Sequence, residues 1–547
     1  MKQKLLLFFT MCFASVFAQS DYESYENLSK NLKILSASNK LVTVASIGKS
    51  SGGKDIWAVT LSKSKQAKPA LLIVAGIDGS YQVGTQISYQ MIASLLKSNQ
   101  FLNLLEEKTV YIIPTVNPDA MVSFFDKNQK LKSGNNTKSD DDRDGKFGED
   151  TSEDLNNDGF ITQLRIEDVT GSYLESTEDT RVLVKADASK NQIGKYILIS
   201  EGFDTDKDGS FNEDGSDGVN IDKNFTFDYA PFEKGAGTYI ASESETRAVL
   251  DFLYANTNIH TVLTFGMHNN LSETPKFDSK NASTRIVKSW LENDVKAAEN
   301  VTKLYTVKNE IKNTPKLPMT KGNFSQTAYY HAGKFSFSTP GWWVPKVEIA
   351  KDSTETKPSK GKKEVDKESN TDVAYLKWAD SQNLNNVFVS WTTIKHADFP
   401  NKNVQVGGFK PYVINNPPLK FLSESITKHS NFVVSLLDAM PKLEVSLPIV
   451  EKVNTNLYRV TINIANKGLM PTYAEIGDKV RFTSRIKTEI VLNKSQSLVS
   501  GRKISFRNTL QPDESQEYSW LISGLGKITL TTGCATTGVK EINVDLK

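Results

Sequence analysis

Cysteine is scarce in this chain. Cys12 and Cys534 are the only two, and Cys12 sits in an N-terminal apolar stretch expected to be removed, so the mature chain keeps one thiol and no internal disulfide. A sizeable buried core, with bound metal ions where they occur, has to hold it together instead. Histidine is scarce as well. His260, His268, His331, His396 and His429 are the full set, none begins a His-x-x-Glu, and no two stand three or four residues apart. That spacing excludes a local histidine pair of the kind that grips zinc. An excess of one charge is also missing, since 66 Lys and Arg face 64 Asp and Glu. Bulk charge therefore points to neither nucleic acid nor an anionic membrane as partner. Beyond the N-terminus no run is long and apolar enough to be a transmembrane segment.

What is present starts with an export signal. Met1-Lys2-Gln3-Lys4 is basic, Leu5 to Phe13 is almost wholly apolar, and Val16-Phe17-Ala18 places small residues where a signal peptidase reads. Residues 1–18 are expected to be a signal peptide cleaved after Ala18, which makes the protein secreted or periplasmic, with the cell surface a further destination.

Past a polar helical stretch (about Tyr22 to Leu35), Ile56 to Leu61 reads as a strand. Ala70 to Ala75 and Thr109 to Pro114 are continuous apolar runs, the pattern of strands buried on both faces. Gln86 to Leu96 has helical spacing, and Ile259 to Phe265 is strand again. Glu243 to Tyr254 reads as a helix, with Ser242 as N-cap and Glu245 completing a capping box. This alternation predicts an α/β domain over residues 19–440, a mostly parallel mixed sheet flanked by helices. Two segments interrupt it: an Asp-rich insertion at 139–217 with no evident core of its own, and a Lys/Glu/Ser/Thr-rich loop at 351–372 that reads as disordered. From about Met440-Pro441 the pattern changes to short alternating strands such as Tyr458 to Ile464, predicting an immunoglobulin-like β-sandwich over 441–547.

Three acidic segments share one spacing: Asp140-x-Asp142-x-Asp144-Gly, Asp154-x-Asn156-x-Asp158-Gly and Asp204-x-Asp206-x-Asp208-Gly. Oxygens at positions one, three and five point into one cavity, and glycine at six allows the closing turn, which suits calcium. None has the bidentate Glu of a full EF-hand loop, so the expected role is structural. A solvated acidic turn is the plainer alternative.

Five motifs in order resemble the zinc metallocarboxypeptidase family, of the carboxypeptidase A type. They are Gly48-x-Ser50 with Gly53-Lys54-x-Ile56, Val116-Asn117-Pro118-Asp119, Gly218-Val219-Asn220-Ile221-Asp222-Lys223-Asn224-Phe225, Ser242-Glu243-x-Glu245-Thr246-Arg247, and Tyr329 to Phe337. The resemblance spans about residues 22–430 and is closest to secreted bacterial members with an acidic insertion. It implies three protein ligands to zinc and a glutamate that takes a proton from the metal-bound water. The positions it assigns to those ligands hold Asp78, Tyr81 and Gly266, with His268 nearby, and the base position holds Pro340. Proline has no acceptor on its side chain. Substrate-binding positions fall on Lys223 and Asn224. Lys223 keeps a charge but lacks the two-pronged grip of the family's arginine. Lys132 is the substitute for a second arginine.

The resemblance therefore implies a pseudoenzyme that binds a peptide or glycan in the retained cleft, with Trp342 and Trp343 either lining it or belonging to the core. One alternative is an active carboxypeptidase with a rearranged zinc site using Asp78 and His268. Another is a calcium-stabilised surface scaffold. Calcium is the cofactor to look for first, and zinc second.

Overall fold

The computed structural model describes residues 22–138, 145–147, 151–212, 217–346 and 370–547. The signal peptide, Asp140, Asp142, Asp144 and residues 351–369 of the expected loop lie outside the described residues. Residues 371 and 372, placed in that loop from sequence, instead open a helix, Thr371–Ser381, capped by the Asn370 side chain. Among the described residues no helix is long and apolar enough to cross a membrane.

The chain runs through β1 (Val42–Lys49), β2 (Asp55–Leu61), β3 (Ala70–Ala75) and β4 (Thr109–Ile113). The insertion adds β5 (Gln163–Glu167), β6 (Tyr173–Glu175), β7 (Leu183–Lys185) and β8 (Tyr196–Ser200). Then come β9 (Ile259–Phe265), β10 (Phe335–Thr339), β11 (Phe388–Ile394) and β12 (Val404–Phe409). The main sheet has the order β1-β2-β4-β3-β9-β10. Its β4-β3-β9-β10 half is parallel, while β1-β2 and β2-β4 are antiparallel.

The parallel strands are apolar without interruption because each face meets its own layer of helices. Leu71, Ile73, Val110, Ile112, Leu263 and Phe265 pack beneath the helices Gln82–Leu96 and Ser423–Ala439. On the opposite face, Leu72, Val74, Ile113 and Val262 pack with Val249 and Leu253 of the helix Ser244–Ala255. Each such side chain, fully buried, stabilises the fold by about 1.5–3 kcal/mol before entropy is counted.

That last helix starts one residue later than its sequence suggests, after Glu243, and no side chain caps it. Glu245 does not complete a capping box, because its carboxylate accepts from the Ser51 backbone N–H at 2.8 Å and from Asn135. The insertion also departs from expectation. Strands β5 to β8 join β11 and β12 in a second, antiparallel sheet. Leu164, Ile166, Val404 and Val406, all at 0% exposure, give it a small core of its own.

The C-terminal region forms two antiparallel sheets of five and four strands facing each other. In Leu457–Asn466 every second residue is buried, the signature of one face turned to a core. Tyr458, Val460 and Ile462 meet Ile490, Ile528 and Leu530 there. The boundary expected at residue 440 falls between the helix Ser423–Ala439 and the strand Leu443–Val445.

Candidate active-site region

In a parallel sheet, ligands collect in the crevice beyond the carboxyl ends of the strands. The positions singled out from sequence lie there: Asp78 after β3, Gly266 and His268 after β9, and Pro340 after β10. Gly76 makes the turn that brings Asp78 round. Its φ is +60° and an added Cβ would lie 2.5 Å from the Thr85 hydroxyl, so only glycine fits.

Asp78 is half-buried. One carboxylate oxygen accepts from the Ser80 N–H (2.8 Å) and hydroxyl (2.6 Å), and the other from Asn220 Nδ2 at 2.8 Å. Burial raises its pKa above the usual carboxylate value, with the Ser80 and Asn220 bonds opposing. Tyr81 is 3% exposed, and its hydroxyl lies 2.7 Å from the Pro340 carbonyl oxygen and 3.1 Å from that of Trp342. Burial pushes its pKa well above the normal tyrosine value, so the ring stays a neutral phenol. Gly266 adds only backbone, its N–H donating to Thr339 at 3.1 Å.

His268 faces two acceptors: Nδ1 lies 3.0 Å from the Pro318 carbonyl and Nε2 lies 2.9 Å from the Asp222 carboxylate. The Thr320 hydroxyl lies 3.3 Å from the same Nε2, so this nitrogen is held between a carboxylate and a hydroxyl. Burial lowers its pKa, but the hydrogen bond and charge of Asp222 outweigh this and the net shift is upward. The other Asp222 oxygen accepts from the Phe324 N–H at 2.9 Å.

The residues assigned to substrate are occupied elsewhere. Lys223 pairs with Glu233 at 3.0 Å and donates to the Lys234 carbonyl. Asn224 is fully buried, with its amide N–H groups donating to Ala236, Tyr239 and Ser242, and its oxygen accepting from the Glu243 N–H. Asn224 leaves no polar atom for a ligand, while Lys223 has its charge paired with Glu233. Lys132 donates to Asn136 at 2.6 Å, and burial lowers its pKa. Trp342 is 7% exposed and packs edge-on against Trp378, a core position. The motifs that carry the family resemblance interlock: Asp119 accepts from Ser50, Ser51 and the Gly52 N–H, while Asn135 joins Glu243 to Glu245.

A zinc carboxypeptidase family model matches residues 31–359. The chain belongs to the zinc carboxypeptidase family. A second model, described only as a domain of unknown function, matches residues 442–545. Carboxypeptidase D of Rattus norvegicus is 29% identical over 135 residues, 23% of this chain and 10% of that protein. Carboxypeptidase D of Homo sapiens is 30% identical over 122 residues, 21% and 9% of the two chains. The chain thus matches about a tenth of the length of these relatives. Among solved structures, thrombin activatable fibrinolysis inhibitor has a TM-score of 0.41 at 14% identity, covering 78% of each chain. Carboxypeptidase A from Helicoverpa armigera has a TM-score of 0.36 at 14% identity, covering 60% of this chain and 66% of that one.

Membership of the zinc carboxypeptidase family implies zinc, and zinc asks for converging basic donors with one position open. The residues in this region do not fit. Both Asp78 oxygens accept hydrogen bonds, Tyr81 aims a protonated hydroxyl at two carbonyls, Gly266 has no donor side chain, and both His268 nitrogens are taken up by partners within the protein. The second-sphere polarity is reversed as well. A zinc-bound histidine normally donates to a carboxylate, whereas here the Asn220 amide donates to the carboxylate of Asp78. Asn220 was not singled out from sequence; His268 was, as a ligand of a rearranged site, but its pairing with Asp222 was not.

Among the described residues, one group of three acidic or thiol or imidazole side chains converges closely enough for a metal. Asp204, Asp206 and Asp208 place one oxygen each within 4.8 Å of one another. One oxygen of Asp204 is buried without a hydrogen-bond partner. Asp154, Asn156 and Asp158 form a loop of the same shape, with left-handed backbone at positions four and six in both loops (Asn157 and Gly159, Lys207 and Gly209).

Proposed function

We propose that this chain is an exported, catalytically silent member of the zinc carboxypeptidase family that binds a peptide or glycan at the ends of its parallel strands. The observation supporting it is the bridge from Tyr81 to Pro340 and Trp342. A ligand position of the family is closed by hydrogen bonding onto the position of its catalytic base. Gly266 has no donor side chain and the His268 ring is held between Pro318 and Asp222, which supports a site without metal-activated water. Asp78, Ser80 and Asn220 are the half-buried polar groups at this edge that remain partly open to a ligand.

Two measurements test this. Zinc content of the purified mature chain, with release of C-terminal residues from a peptide library, is expected to show neither stoichiometric zinc nor turnover. Peptide and glycan arrays are expected to give binding that Asp78→Ala abolishes. Stoichiometric zinc with turnover would overturn the proposal in favour of a rearranged active site.

A second reading, a calcium-stabilised scaffold, is favoured by the convergence of Asp204, Asp206 and Asp208. Calcium is expected to raise the melting temperature, and Asp206→Asn with Asp208→Asn to remove the part of that rise due to this loop. Calcium stabilisation without array binding would favour the scaffold alone.

A further inference from the structure

The junction between the two domains forms a partly open cavity of about 410 Å³. Lys68, Lys108 and Tyr111 wall it from the peptidase-like domain, and Lys442, Cys534 and Lys540 from the sandwich side. Four lysines and one acidic residue, Glu107, line it, so four minus one leaves a formal lining charge of +3. Two of the lysines have partners: Lys540 with Glu107 at 3.5 Å and Lys442 with Glu444 at 3.1 Å.

Lys108 stands apart. The residue is 7% exposed and its ammonium donates to the Pro441 carbonyl at 2.6 Å. No carboxylate lies within ion-pairing distance of it among the described residues. An ammonium has three N–H donors, so two are left without a protein acceptor. Glu107 and Asp438 favour its charge from a distance, while burial first, and then Lys540 and Lys442, oppose it, lowering its pKa to about 8. A buried cation without a counter-ion is costly, and an anion placed against it removes much of that cost. Pro69, Ala255 and Leu443 give the same cavity apolar wall for a small organic body.

We propose that this interdomain cavity binds a small oxyanion, the carboxylate or phosphate of a compact molecule, with Lys108 as its main hydrogen-bond donor and Lys68, Lys442 and Lys540 supplying the field. The ligand touches both domains and strengthens their docking. This site is separate from the strand-end cleft, so its fate is independent of the function proposed above.

The test is calorimetric titration of the full mature chain at low ionic strength and pH 7 with inorganic phosphate and, separately, succinate, with the melting temperature followed in parallel. One of the two is expected to bind and to raise the melting temperature. A preference for phosphate identifies a phosphate ligand, and a preference for succinate a carboxylate. Lys108→Met is expected to weaken binding by about tenfold or more, the loss of a charged hydrogen bond. Lys540→Gln, on the rim where folding is not at risk, is expected to weaken it about two- to fivefold through the field alone. Affinity is expected to fall above pH 8. Binding of neither anion, or unchanged affinity in Lys540→Gln or in folded Lys108→Met, would overturn the proposal.

Discussion

At the scale of single residues, the closure at Tyr81 is open to direct measurement. Tyr81→Phe keeps the ring and its packing but leaves the Pro340 and Trp342 carbonyls without their donor in a buried setting. Stranding buried acceptors costs about 1–3 kcal/mol. The urea unfolding midpoint is expected to fall accordingly, and an unchanged midpoint would show that the bridge contributes nothing. That Gly266 and Pro340 offer no side-chain ligand or base is legible in the sequence, because it is a property of residue type alone. What replaced the lost chemistry was not readable. That Asn224 is consumed by residues 236–243, or that His268 is locked by Pro318 and Asp222, depends on loops folding back across 46 or more positions in the case of His268. Lys223 shows the same limit: its charge was visible, and its pairing with Glu233 was not.

At the scale of elements, readability followed burial. Strands β3 and β9 fall on Ala70–Ala75 and Ile259–Phe265, as read from sequence, since a run buried on both faces needs no partner to be recognised. The second sheet escaped notice because β5 is five residues long and its partner β12 lies about 240 positions later. Its core is made of side chains that look unremarkable until the two segments meet. In the two described acidic loops, glycine at position six makes the turn that the spacing implies. Gly209 has a φ of +94° with no atom within 4 Å of an added Cβ, so Gly209→Ala meets no clash and strains only the backbone. The expected cost is about 1 kcal/mol, read as a small drop in melting temperature without calcium. A loss far larger than this would mean that the loop supports more of the second sheet than its own turn.

At the scale of the whole molecule, the sandwich is held to the peptidase-like domain through buried polar groups as well as apolar contact. The central one is Asp294, at 0% exposure on the helix Glu292–Lys303. One of its oxygens accepts from the Glu475 N–H at 2.7 Å, and the other from the Ile476 N–H at 3.1 Å and the Tyr329 hydroxyl at 2.9 Å. A side chain of one domain thereby satisfies backbone donors at the start of the sandwich helix Ile476–Val480. Burial pushes the Asp294 carboxyl up to about 7, the Glu475 charge adds to this, and the three donated bonds oppose it. Because the folded-state pKa is raised, the contribution of Asp294 to stability is complete below the unfolded value near 4 and is lost as pH rises toward about 7. The slope is at most about 1.4 kcal/mol per pH unit in that window. Asp294→Asn cannot ionise, so its unfolding free energy lacks this slope while losing one of the accepted bonds. The parent is therefore expected to exceed the variant most at pH 5, with the difference shrinking by about 1 kcal/mol per unit up to pH 7. Urea denaturation at pH 5, 6 and 7 measures it. A difference that stays flat from pH 5 to 7 would mean that Asp294 is ionised throughout, its three donors outweighing its burial, and that the domain junction is indifferent to pH in this range.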